Sequence, residues 1–260
     1  DAAGLTGRYT SMAVGPDGRP MIAYMTLNEG DQSMLKLAWA NDGVTEPAAP
    51  TDWTLYVLDQ MAVPVDESTL DDLPYGVGLF ADLGLFSDGS PAVAYYVNAE
   101  TLALRWVGWE GAAFGAPATI VNGMGADCDM FIDASDQIHI TFQDPALGEL
   151  WYVNAGLSAP ELVDAGGRVV DGNPTDEASA VGAFHWVGNF PVVVADGSAR
   201  VRVAYQDGTT EDLLHATRAP DGSWNAEIVA RKQTAENFVG AFGFFVDLLL
   251  TADEDSLISN

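Results

Sequence analysis

Asp17-Gly18-Arg19-Pro20-Met21-Ile22-Ala23-Tyr24 is the stretch that decides the fold, because it returns as Asp88-Gly89-Ser90-Pro91-Ala92-Val93-Ala94-Tyr95. Further copies are Asp136-Gln137-Ile138-His139-Ile140-Thr141-Phe142 and Asp196-Gly197-Ser198-Ala199-Arg200-Val201-Arg202-Val203-Ala204-Tyr205. A fifth, Asp253 to Asn260, is cut off by the end of the sequence. Asp-Gly favours a tight turn, since glycine tolerates positive φ and aspartate can bond nearby backbone. The residues after the turn alternate: β-branched Ile22, Val93, Ile140 and Val203, a small residue, then an aromatic. That period of two fits a strand packed on both faces.

Each copy is therefore read as a hairpin, and the segments after the hairpins also repeat. Leu35–Trp39, Leu102–Trp106, Leu150–Val153 and Leu213–Ala216 are expected third strands. Trp53–Leu58, Ala118–Val121, Glu161–Val163 and Trp224–Val229 are expected fourth strands. Successive turn aspartates are 71, 48, 60 and 57 residues apart. Four strands in units of about 50–60 residues describe an all-β propeller of antiparallel blades. The expected blades are 8–61, 73–123, 126–166 and 179–231, with a partial one at 238–260, together forming a single domain. Inner strands are expected at Val77-Gly78-Leu79-Phe80, Val181-Gly182-Ala183-Phe184 and Val239-Gly240-Ala241-Phe242. The acidic stretches 65–72 and 171–177 read as loops.

The last copy stops where its second strand should be under way. A cut blade exposes unpaired backbone, so missing strands are expected from a C-terminal fragment, a protein partner or residues beyond this sequence. Leu257, Ile258, Ser259 and Asn260 are the expected partner interface, by strand addition.

Thirty-eight acidic residues against ten basic ones leave a formal charge of −28, which argues against nucleic acid or an anionic membrane surface as partner. Hydrophobic content of 48% excludes a disordered chain. The single cysteine, Cys128, forbids an intrachain disulfide, and its neighbours Asp127 and Asp129 disfavour a reactive thiolate. The most apolar run, Phe238 to Leu250, is too short for a membrane span and carries Asp247. A start at Asp1 without methionine reads as a processed chain, and a secreted, periplasmic or cell-surface location is expected.

No HExxH, CxxC, P-loop, GxGxxG or GxSxG arrangement is present. His139, His185 and His215 are far apart in sequence; His139 and His215 read first as packing residues, and His185, beside Trp186, is expected on an inner strand where it could face the channel. Carboxylates are the better candidates. Asp127, Asp129 and Asp133 are expected on one face of the third inner strand, with Asp82 and Asp247 on the second and fifth. Three readings stay open: solvated or turn-capping side chains, a Ca²⁺ site, or an acid/base pair of glycosidase type.

The Asp-Gly-x-Pro-x-Ile/Val-Ala-Tyr pattern with Trp-rich following strands resembles secreted bacterial β-propeller repeat proteins, including relatives of the sialidase and Asp-box type. The resemblance implies the fold, and a binding module or glycan-active enzyme. Two departures stand out. Ala219-Pro220-Asp221-Gly222-Ser223-Trp224 has its tryptophan one place early for an Asp-box, and the scattered arginines do not supply a sialidase's cluster. The expectation is a non-enzymatic, exported binding or assembly scaffold; the alternative is a glycan-active hydrolase or lyase using carboxylates on inner strands. A third reading is a calcium-stabilised structural protein.

Overall fold

The computed structural model describes residues 5–27, 31–64, 73–155, 159–167, 184–196, 200–231, 241–251 and 255–259. The stretches 65–72 and 171–177, Val181–Ala183, Val239–Gly240 and Asn260 therefore lie outside the described residues. Among the described residues, eighteen strands form four four-stranded antiparallel sheets and a hairpin. Leu5–Val14 (β1), Pro20–Leu27 (β2), Gln32–Ala40 (β3) and Trp53–Ala62 (β4) make the first blade. Gly76–Leu85 (β5), Pro91–Asn98 (β6), Ala103–Gly108 (β7) and Ala118–Asn122 (β8) make the second. Ala126–Ile132 (β9), Ile138–Asp144 (β10), Glu149–Asn154 (β11) and Glu161–Asp164 (β12) make the third. Val187–Ala195 (β13), Val201–Asp207 (β14), Asp212–Arg218 (β15) and Trp224–Ala230 (β16) make the fourth. Asp247–Leu250 (β17) pairs with Ser256–Ser259 (β18). The chain divides into two compact units, Asp1–Ile132 and Asp133–Asn260, the division falling at the end of β9.

The repeated aromatics are what each blade packs on. Tyr24, Tyr95, Phe142 and Tyr205 are all buried. In the first unit Tyr95 sits with Leu35, Leu37, Leu58, Val93 and Val107 in one apolar cluster. The tyrosine hydroxyls also tie successive blades. Tyr95 donates to Asp59 on β4 at 2.6 Å, and Tyr205 donates to Asp164 on β12 at 2.6 Å. A phenol buried this deeply needs such an acceptor.

The Asp-Gly turn is a five-residue loop closed by its first N–H on its fifth carbonyl: Gly15 to Arg19, Phe86 to Ser90, Asp133 to Gln137, Asp196 to Arg200 and Thr251 to Asp255. The third copy differs from the expected alignment. Asp136 occupies the place of Gly18 and Gly89, at φ 61° against 80° and 83°, so Ser135 stands where Asp17 and Asp88 do. Aspartate tolerates the left-handed region better than most side chains, which makes the exchange possible.

Val77–Phe80 falls at the start of β5 as expected, but the other two inner strands begin later than expected. Phe184 is exposed and precedes β13, and Phe242 precedes β17. The recurring mark is instead a glycine and, two residues later, a second residue, both at positive φ: Gly7/Tyr9, Gly78/Phe80, Gly125/Asp127, Gly188/Phe190 and Gly243/Phe245. Register shifts mark the same places in β1, β5 and β13. The glycines are needed for contact as well as for φ. A Cβ on Gly78 would lie 3.1 Å from Leu35 Cβ, and one on Gly125 2.6 Å from Leu104 Cβ.

Candidate active site on the inner strands

The shared bulge puts Ser11, Asp82, Asp129, Val192 and Asp247 at one structural position, two residues beyond the second positive-φ residue. On β5 and β9 the intervening residues, Ala81 and Cys128, are buried, while Asp82 and Asp129 on the other side are half-buried. The bulge thus gives adjacent inner strands of the first unit matching carboxylates.

Asp82 is the hub of this region. Its Oδ1 accepts from Ser11 Oγ at 2.8 Å and from the Leu83 N–H at 3.0 Å. Its Oδ2 accepts from the Met130 N–H at 2.7 Å. The Leu83 N–H also reaches Ser11 Oγ at 3.1 Å. One carboxylate therefore joins β1, β5 and β9. Burial pushes the Asp82 carboxyl above its usual range and outweighs the three donors, which pull it down. Because Met130 follows Asp129 directly, the hydrogen bond to its N–H holds Asp129 Cα within about 5 Å of the Asp82 carboxylate.

Cys128 reports on the same crowd. Its thiol donates to Phe80 O at 3.2 Å, and it is pushed far up by burial and then by the charges of Asp82, Asp127 and Asp129. It is a buried, inert thiol, as the flanking carboxylates suggested. The aromatic residues of the bulges pack on one another: Tyr9 and Phe80 stand 4.9 Å apart, and Phe80 and Tyr96 6.4 Å apart, against Met25, Leu27 and Leu79.

Asp133 is taken up by the turn after β9. It lies beyond β9, where its Oδ1 accepts from the Ser135 and Gln137 N–H groups at 2.8 and 2.9 Å and its Oδ2 meets His139 Nε2 at 3.3 Å. Asp127, at φ 48°, belongs to the bulge, which breaks the period of two on which the expected face depended. Among the described residues no three His, Cys, Asp or Glu side chains are grouped to hold a metal ion. Asp247 accepts the Leu248 N–H at 2.9 Å, as Asp82 does that of Leu83. Leu257 is exposed on β18, Ile258 half-buried and Ser259 exposed.

The histidines are structural. His139 Nδ1 meets Tyr152 Oη at 2.7 Å. His185 Nδ1 meets Asp207 Oδ2 at 2.5 Å, with both residues buried. His215 lies between Glu227 and Ser256.

No family model and no curated protein matches the sequence. Solved structures do match in fold. An α-L-arabinanase from Penicillium chrysogenum complexed with arabinobiose aligns over 98% of this chain and 74% of its own, with 12% identity and a TM-score of 0.54. An α-L-arabinofuranosidase from Lactobacillus brevis aligns over 98% of this chain and 83% of its own, with 11% identity and a TM-score of 0.51. The chain has the β-propeller fold. The expectation of a non-enzymatic scaffold is corrected here. It took the absence of familiar motifs to mean the absence of chemistry, whereas these structures of like fold are enzymes.

Proposed function

We propose that the protein is a glycoside hydrolase acting on a neutral glycan, with Asp82 and Asp129 as its reacting carboxyl groups. One observation carries the reading: the Asp82–Met130 hydrogen bond, which brings the backbone next to Asp129 onto the Asp82 carboxylate. Glycosidases need two carboxyl groups roughly 5–9.5 Å apart, one protonated and one ionised. Burial favours the proton on Asp82, making it the acid that protonates the leaving oxygen. Asp129 supplies the ionised partner, as base toward water or as nucleophile. Ser11 is the neighbour able to follow the proton, because a hydroxyl rotates between donating and accepting whereas the Leu83 and Met130 amides only donate. Tyr9 and Phe80, two residues before Ser11 and Asp82, are the aromatic residues the reading assigns to the C–H face of a sugar.

The charge points to a neutral substrate. A polysaccharide of uronic acids would meet a chain of net charge −28, which also disfavours a lyase acting on such a polymer. The reading is tested by reducing-sugar release from arabinan, arabinoxylan and xylan. Release by the wild type, lowered at least about a hundredfold in Asp82→Asn and in Asp129→Asn with folding retained, is the expected result. Wild-type rates preserved in both variants would exclude this pair.

A further inference from the structure

A second site lies in the first unit, built by the turns that define the repeat. Gly15, Pro16, Asp17 and Arg19 from the β1–β2 turn face Asp88, Gly89 and Ser90 from the β5–β6 turn across a cleft of about 320 Å³, with Trp39 and Trp109 in its wall. The two turns touch closely: a Cβ on Gly89, at φ 83°, would lie 2.7 Å from Pro16 Cδ. An adjoining cleft shares Arg19, Trp39 and Trp109 and extends to Asn41, Asp42, Thr54 and Tyr56. Trp39 and Trp109 meet edge to face at 5.4 Å, and Tyr56 packs on Trp109 at 5.8 Å. All three rings are half-buried, so part of each remains open.

The polar groups here are held in place, and one is unanswered. Arg19 lies over the Trp39 ring at 5.0 Å and binds Asp17 Oδ2 and Asp42 Oδ1, each at 2.6 Å. Asp88 is fixed by the Ser90 N–H and hydroxyl at 2.8 and 2.5 Å. The Trp39 Nε1–H is buried and has no acceptor among the described residues.

We infer that this cleft is a saccharide-binding site distinct from the Asp82–Asp129 pair, and that its ligand is a neutral sugar unit of a glycan chain. Anions are disfavoured by the carboxylates of Asp17, Asp42 and Asp88. A cationic side chain is disfavoured because Arg19 already takes the cation's place over the Trp39 ring. Sugar hydroxyls both donate and accept, and a sugar's C–H face packs against half-open indole rings. The volume lies at the small end of ligand clefts, about 300–1,000 Å³, which suits one or two sugar rings rather than a long chain. The inference takes its ligand class from the glycan-active reading, but its geometry is independent of the inner-strand carboxylates.

The test is a titration of isotope-labelled protein with neutral disaccharides, arabinobiose among them, monitored through the indole N–H resonances of Trp39 and Trp109. Saturable shifts of both are expected. Trp109→Ala should weaken binding at least about tenfold. Trp109→Phe, which keeps a ring between Trp39 and Phe114, should fold and weaken it less. Asp82→Asn should bind in this cleft like wild type even though it does not hydrolyse, so failure of catalysis and failure of this site are told apart. The inference is overturned if no disaccharide moves either resonance, if only a cationic peptide does, or if Trp109→Ala binds like wild type while Asp82→Asn does not.

Discussion

Both units gather an arginine, aromatic rings and carboxylates, and they use them differently. In the second unit Arg218 is spent on Glu161 through two hydrogen bonds of 2.7 and 2.8 Å, and Trp224 Nε1–H donates to the same carboxylate at 3.2 Å. Tyr152 packs on Trp224 at 5.4 Å and holds His139. Every named polar group there has an answer within the unit. In the first unit Arg19 is likewise paired, but the rings beside it wall a cleft and the Trp39 N–H has no acceptor among the described residues. A polar cluster that satisfies itself stabilises the fold, whereas half-open rings in the wall of a cleft are equipped to bind.

Substitutions should divide along that line. The largest loss of stability is expected at Asp207, which holds the buried His185 and caps the N–H groups of Thr209 and Thr210. Asp207→Ala should cost about 3 kcal/mol, read as a lower urea midpoint at unchanged slope. Glu161→Ala strips partners from Arg218 and Trp224, but both charged side chains are about a quarter exposed, so about 1–2 kcal/mol is expected by the same measurement. Asp42→Asn in the cleft, where the side chain is 98% exposed, should leave the melting temperature unchanged. A large loss there would break the distinction.

Protonation sharpens the contrast, since all three histidines lie in the second unit. Burial holds both His139 and His215 below the ordinary histidine value of 6.5. Asp133, which faces His139, pulls the other way, and the charge of Arg218 adds to the lowering. Glu227 opposes burial at His215, while Arg202 reinforces it. The unfolded chain therefore binds more protons than the folded one below about pH 6.5, and stability is lost as pH falls from there toward the folded values. Hydrogen exchange should show protection in β10 and β15 falling over that window while that of β6 holds, and His139→Gln should flatten the slope in β10. Asp82 has the opposite sign: a raised carboxyl costs stability as pH climbs above its unfolded value of 3.8.

Much of this fold could be read directly, because a turn and an alternating strand leave strong local marks. The hairpins at Asp17, Asp88 and Asp196 and the third and fourth strands fell where the pattern put them, with β3 starting three residues earlier and β4 ending four residues later. The inner strands of the fourth and fifth copies did not, because their mark is a glycine at positive φ and then a second such residue that is aromatic in four copies and aspartate in one. A signal was available: Gly7, Gly78, Gly125, Gly188 and Gly243 each stand ten residues before the third residue of the turn loop, at Asp17, Asp88, Ser135, Ser198 and Asp253. That spacing pairs Asp82 with Asp129 and sets Asp133 apart. The cleft was less legible. Trp39 and Trp109 are 70 positions apart, and only the contact of one turn with the next brings them together.

The central claim is hydrolysis by the Asp82–Asp129 pair, and the pH–rate profile of glycan cleavage tests it most directly. With neutral polysaccharide as substrate, wild type should lose activity as rising pH deprotonates Asp82, and Asp82→Asn should lose both the activity and that limb. A profile that keeps its height and its shape in Asp82→Asn and Asp129→Asn would contradict the account.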